Sequence, residues 1–250
     1  MTYPVTIFNI HLHVFFEILS YTIGFQYYLY WRKKSTDLIG DSDRLWIFIG
    51  AAAGAFLGSH VLGIFEKPLP PELFIENGVQ NSLLYFMANK TVVGGFLGGL
   101  IGVELTKKII GVTTSSGDLM TFPLLLGLII GRIGCHLEGL EDGTFGKPTS
   151  SLFGMDLGDG IHRHPTNLYE IVFLITLWLS IVYVEKRYPL SNGSRFKIFL
   201  ISYLIFRFFI EFLKPAYFHP MGLSSIQLAA LGGVVYYFLL YFKIFGNRKI

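Results

Sequence analysis

A chain of 250 residues has room for one or two soluble domains, but 52% hydrophobic and 15% charged content excludes an ordinary one, which carries roughly 25% charged residues. Mean hydropathy is +0.53, and 24 Phe with 14 Tyr supply apolar bulk and interfacial anchors. The net charge of +3 is too small to argue for a nucleic-acid partner, and a single cysteine, Cys135, rules out an intrachain disulfide.

The N-terminal "MTYPVTIFNIHLH" lacks the basic stretch of a signal peptide, so no cleaved segment is expected. Crossing a bilayer takes about 20 apolar residues. Seven runs approach that length: 11–31, 44–65, 91–110, 118–137, 166–185, 197–213 and 223–244. The expected fold is an all-α integral membrane protein with seven transmembrane helices in one domain, residues 1–250. Two long loops, 66–90 and 138–165, join the helices, and their Pro, Gly, Asn and Asp content predicts turns, short helices or strands.

Basic residues divide the loops. One alternating set holds Arg32, Lys33, Lys34, Arg44, Lys107, Lys108, Lys186, Arg187, Arg195, Lys197, Lys243, Arg248 and Lys249; the other holds Lys67, Lys90, Lys147, Arg163 and Lys214. The positive-inside rule makes the first set cytoplasmic. The N-terminus is then outside, the C-terminus inside, and both long loops are external.

That orientation gathers the polar residues of the spans near the outer face. Glu17 follows the start of the first span, and Lys90 opens the third. Arg132 and Glu138 close the fourth in "GRIGCHLEG", and His164, Asn167, Tyr169 and Glu170 open the fifth in "RHPTNLYE". Arg207 and Glu211 lie in the sixth. A charge at the bilayer centre costs at least about 2.5–3.5 kcal/mol, so a protein partner or an anionic ligand must offset it. Arg207 and Glu211, at i, i+4, can neutralise each other. Arg132 can snorkel, and Glu170 can be a surface residue favoured by the helix dipole. Cys135 reads as a small buried hydrophobe.

The third span, "VVGGFLGGLIGVE", repeats Gly94, Gly98 and Gly102, with Gly95 and Gly99 on an adjacent ridge. Small residues at this spacing bring helices close in lipid; the functional alternative is that bare backbone admits an acyl chain or head group. Glu104 lies near Lys107 and Lys108 and reads as structural. "GSH" at Gly58 to His60 lacks the flanking glycine of a nucleophile elbow. His11 with His13, or His162 with His164, makes no metal site without further ligands, so no metal and no cofactor are expected.

"GRIGCHLEG", "RHPTNLYE" and "YLIFRFFIEFLKP", in that order, resemble the signature blocks of the bacterial prolipoprotein diacylglyceryl transferase family, with "GGLIGVE" and "YTIGF" as further blocks. The resemblance covers residues ~11 to 240. It implies seven membrane helices and an external N-terminus. The implied activity is a transferase of lipoprotein biosynthesis that moves the diacylglyceryl group of phosphatidylglycerol to the lipobox cysteine of a prolipoprotein and releases glycerol phosphate. The implied location is the bacterial plasma (inner) membrane, with the active site facing the outer leaflet. By residue type it implies catalytic roles for Arg132, Arg207, His164, Glu170 and Glu211. Substrate binding falls to Glu17, Gly98, Gly99, Glu138, Gly143, Tyr169 and Tyr203.

Four positions depart from the family pattern. Cys135 stands for an asparagine, Leu97 for a histidine, Glu17 for a tyrosine, and Leu140 for a glutamate that Glu138 or Glu141 can replace. The phosphate-gripping arginines are kept, while the base and the acceptor are left open. The alternatives are diacylglyceryl transfer to a non-protein acceptor, or a non-catalytic phospholipid-binding or transport protein.

Overall fold

The computed structural model describes residues 3–7, 10–35, 37–66, 85–87 and 89–246. Among these are seven long helices: α1 (Leu12–Lys34), α2 (Asp41–Glu66), α3 (Val92–Ile110), α4 (Asp118–Glu138), α5 (Thr166–Arg187), α6 (Ser194–Ile210) and α7 (Ser225–Gly246). Each falls on one of the seven apolar runs. α2, α4 and α5 are long and apolar enough to cross a membrane, and a shorter apolar stretch runs over Ser225–Leu240. Large apolar side chains such as Tyr21, Ile101, Ile109, Leu179 and Phe209 are exposed. A soluble protein does not display so much apolar surface; helices facing lipid do. Most of the loop 66–90 lies outside the described residues.

The sixth helix differs from expectation. It begins at Ser194 and ends at Ile210, and Glu211–Leu213 form a 3₁₀ turn rather than a last helical turn. Pro215 explains the change: it cannot donate to the helix ladder, and it biases the residue before it away from helical backbone.

The described residues fall into two compact units, each assembled from separate stretches of chain. The first comprises residues 1–37, 115–202 and 212–215. Here α1 and α4 run antiparallel, since Gly24 meets Pro123, Gly127 meets Ser20, and Gly134 meets Phe16. α5 packs on α4, with Trp178 stacked on Phe122, and Trp31 of α1 lies tilted against the same Phe122 ring. Asp118, in the first turn of α4, accepts hydrogen bonds from the Gly193 and Phe196 amides and so caps the start of α6. Two short antiparallel ladders complete the unit, β1 (Thr6–Ile7) with β2 (Ile10–His11) and β3 (Met155–Asp156) with β4 (His162–Arg163). The second ladder gives the loop 138–165 the ordered character expected of it.

The second unit comprises residues 38–114, 203–211 and 216–250. α2 and α3 run antiparallel along a glycine seam, Gly50 facing Gly102, Gly54 facing Gly98 and Gly58 facing Gly94. A Cβ on Gly98 would stand 2.2 Å from the Gly54 carbonyl oxygen, and one on Gly54 2.3 Å from that of Gly98. Only glycine permits this approach. Thr91 accepts from the Gly94 amide to cap α3, and Gly111 at φ 76° ends it. α7 is tied in by Ser225 donating to the Phe65 carbonyl at 2.9 Å and Gln227 donating to that of Phe208 at 3.0 Å.

Candidate active site

The first unit holds a buried ion pair. Arg132, two turns before the end of α4, lies 2.9 Å through Nε from Glu170 Oε1 on α5. Arg132 is 6% exposed and Glu170 1%. Two sequence readings are thereby corrected. Arg132 does not snorkel, because antiparallel packing of α4 on α5 sets a carboxylate beside it. Glu170 is no surface residue, because the first turn of α5 is covered by the loop that precedes it.

That loop is knitted to α5 by backbone and hydroxyl contacts. Thr166 donates to the Thr144 carbonyl at 2.6 Å, and Thr144 Oγ1 lies 2.9 Å from Asn167 Oδ1 and also against the Asp142 carboxylate. The Gly146 amide donates to the His164 carbonyl and the His164 amide to that of Lys147, both at 3.1 Å. His164 Nδ1 stands 3.3 Å from the Tyr169 hydroxyl. Gly143, at φ 68°, makes the turn that returns the chain towards Thr144. His164, Tyr169, Glu170, Gly143 and Arg132 therefore belong to one neighbourhood.

The start of α1 borders it. His13 Nδ1 lies 3.7 Å from Asp142 Oδ1, and its Nε2 lies 3.9 Å from Glu17 Oε2. Glu138 accepts from His11 Nδ1 at 2.8 Å. Around Cys135, Arg132 Nη1 donates to its sulfur at 3.6 Å, and its Sγ lies within 4.8 Å of ligand atoms on His13 and Asp142. His11, Glu138 and Glu141 form a second such group. The further ligands that the sequence does not supply by spacing are thus brought in by the fold.

Outside the membrane helices the surroundings shift the pKa of Asp156 and of Tyr3. Backbone amides of Gly158, Gly160 and Asp159, with the charge of His162, hold the Asp156 carboxyl below its usual value. Burial first, and then the Asp156 charge, push the Tyr3 hydroxyl up.

In the second unit Arg207 Nη2 donates to Glu211 Oε2 at 3.1 Å, with both residues buried, as their spacing predicts. Tyr203 is fully buried, its ring edge-on to Phe96 at 5.3 Å. The open face of Gly98 is filled by α2, so this glycine packs helices; Gly99 meets Ala51 and Ala55 at ordinary contact distance. Lys107 donates to Glu104 at 3.3 Å, the structural pair expected there. His60 stacks on Phe86, and its Nδ1 lies 2.8 Å from the Phe56 carbonyl and 3.1 Å from the adjacent Ser59 hydroxyl.

Residues 4–243 match the family described as prolipoprotein diacylglyceryl transferase. The chain belongs to this family. It is 30% identical over 229 residues, 87% of its length and 79% of the relative's, to a protein of Campylobacter hominis named phosphatidylglycerol–prolipoprotein diacylglyceryl transferase. A protein of the same name from Wolbachia pipientis wMel is 29% identical over 246 residues, 89% of each chain. Set against the family resemblance, the residues that sequence reasoning passed over are Asp142, Thr144 and Thr166, while His13 entered only as a metal-ligand candidate beside His11. Thr166 and Asn167 sit beside "LYE" and are almost completely buried; polar residues at the head of an apolar helix were the signal available. For His13 and Asp142 there was none, since each is a single polar residue far from its partner in sequence.

Proposed function

We propose that the protein moves the diacylglyceryl group of phosphatidylglycerol to the lipobox cysteine of a prolipoprotein and releases glycerol phosphate. It does so as a seven-span protein of the bacterial plasma membrane, N-terminus outside, with its reaction at the outer leaflet. Family membership over nearly the whole chain supports the reaction class. The observation that carries the chemistry is the buried Arg132–Glu170 pair.

A buried ion pair adds little to stability compared with apolar residues of similar volume. An arginine in such a place is better explained by an anionic ligand. As the acceptor sulfur bonds to the glycerol carbon, the carbon–oxygen bond to phosphate breaks and negative charge collects on the leaving group. A guanidinium stays charged and grips phosphate oxygens through parallel N–H donors. Fixed in a dry site, it stabilises that charge without reorganising. Glu170 orients the guanidinium. Arg207, held by Glu211 in the second unit, carries the same guanidinium chemistry. The acceptor thiol must also lose its proton, because thiolate is the nucleophile.

Purified protein with glycerol-labelled phosphatidylglycerol and a lipobox peptide tests the reaction. The expected products are a peptide carrying diacylglycerol on its thiol and free glycerol phosphate. Glycerol phosphate without modified peptide would point to another acceptor, and release of neither would leave a lipid-binding protein. For topology, a reporter active only outside the cytoplasm is expected to work when inserted near Gly143 and to fail when fused after Ile250. The reverse pattern would overturn the outer-face assignment.

A further inference from the structure

We propose that His13, Cys135 and Asp142 form a zinc site whose fourth position takes a thiol. One side chain of each kind, with a nitrogen, a sulfur and an oxygen ligand atom, converges so that all three atoms lie within 4.8 Å of one another. All three residues belong to the first unit: the start of α1, the end of α4 and the turn after it.

Distances favour a shared ion over a hydrogen bond. His13 Nδ1 and Asp142 Oδ1 are 3.7 Å apart, too long for an N–H···O bond of about 2.7–3.2 Å. Two ligands each about 2.0–2.2 Å from a tetrahedral zinc stand roughly 3.4 Å from each other. His13 Nδ1 is buried with no hydrogen-bond partner among the described residues. It therefore has a lone pair to offer.

The surroundings suit the same ion. Thr144 Oγ1 lies against the other Asp142 oxygen and fixes the carboxylate. Glu17 Oε2 lies 3.9 Å from the far ring nitrogen of His13, Nε2, an ion-pair distance beyond hydrogen-bond reach. Thiolate and carboxylate balance the two charges of zinc, and Glu170 already balances the neighbouring Arg132. Nitrogen and thiolate donors select zinc over magnesium or calcium.

Three protein ligands leave a tetrahedral zinc one open position. A thiol that coordinates there is deprotonated outright. Its proton goes to solvent; its sulfur then bonds to the glycerol carbon while the carbon–oxygen bond breaks, and the electron pair leaves on glycerol phosphate. This last assignment rests on the proposed transferase function, whereas the metal site does not.

Cobalt(II) added to the full chain in detergent, after chelation, is the test. Wild type is expected to bind it stoichiometrically, with a sulfur-to-cobalt charge-transfer band that is lost in Cys135→Ser. Asp142→Asn and His13→Ala are expected to weaken binding. A lipobox peptide should strengthen the band, and its serine analogue should not. A wild-type protein without the band, or an equal band in Cys135→Ser, overturns the site whatever the variants' stability. A band indifferent to the cysteine peptide overturns the thiol assignment. Cobalt binding without any diacylglyceryl transfer would keep the site and reject the proposed function; transfer with no band would do the opposite.

Discussion

The α2–α3 seam and the α1–α4 seam are both antiparallel helix contacts containing glycine, yet they are built for different ends. Between α2 and α3 backbone lies on backbone, and the missing Cβ atoms of Gly54 and Gly98 are replaced by carbonyl oxygens at 2.3 and 2.2 Å. Nothing else fits there. Between α1 and α4 the approach is looser, 3.4 Å at Gly24 and 3.3 Å at Gly127, and at Gly134 the nearest atom is the Phe16 Cβ, with the His13 backbone beyond it. The seam ends in His13, Glu17, Cys135 and Asp142. Small residues in membrane helices thus mean tight packing where they pair with small residues. Where they meet larger residues, as between α1 and α4, the helices stand further apart at Gly24 and Gly127 and the seam ends in polar groups.

The sharpest way to break this contrast is to strip the polar seam of its counter-charge. Glu170→Ala leaves Arg132 buried without its carboxylate, a loss of about 3–5 kcal/mol. A lowered unfolding midpoint in detergent should report it. Glu170→Gln, which keeps shape and hydrogen bonding, should recover part of the stability and little of the activity. If Glu170→Ala melts like wild type, the pair is not the buried feature described.

Next in size is the glycine seam. Gly98→Ala must push α2 from α3 and is expected to cost about 1–3 kcal/mol or more. Gly99→Ala, one residue along with contacts at 3.5 Å, should lie within about 0.5 kcal/mol of wild type. Measured side by side, the two variants separate packing glycines from permissive ones. Equal effects would contradict the seam.

The smallest effect belongs to the external loop. Folding holds the Asp156 carboxyl below its ordinary value, so its contribution is present at neutral pH and is lost as pH falls through the folded value. Amide exchange at Gly158, Asp159 and Gly160, corrected for intrinsic rate, should gain less protection at pH 3 than at pH 6. Asp156→Ala should show the low-pH behaviour at both. Protection independent of pH would remove the carboxylate from its role.

Much of this was legible in the sequence because lipid imposes a simple rule: long apolar runs become helices, and all seven did. Charged residues within them were legible as anomalies, and Arg207 with Glu211 could be paired by spacing alone. The pairing of Arg132 with Glu170 could not, because it depends on how α4 lies on α5. Helix six was read three residues too far, past the point where Pro215 tightens it into a 3₁₀ turn. The neighbours of Cys135 are not legible, because a lone cysteine carries no periodic signal. What surrounds it comes from α1 and from the turn at Gly143, and neither position says so in one dimension.

The account stands or falls on whether Arg132 works on phosphate. The decisive measurement is the rate of diacylglyceryl transfer from labelled phosphatidylglycerol to a lipobox peptide by wild type and by Arg132→Lys, both shown to be folded by their melting behaviour. Lysine keeps the charge and loses the planar fork. The expected result is transfer by wild type and a fall on the order of a hundredfold in the variant. A folded Arg132→Lys protein that transfers at the wild-type rate would contradict the account.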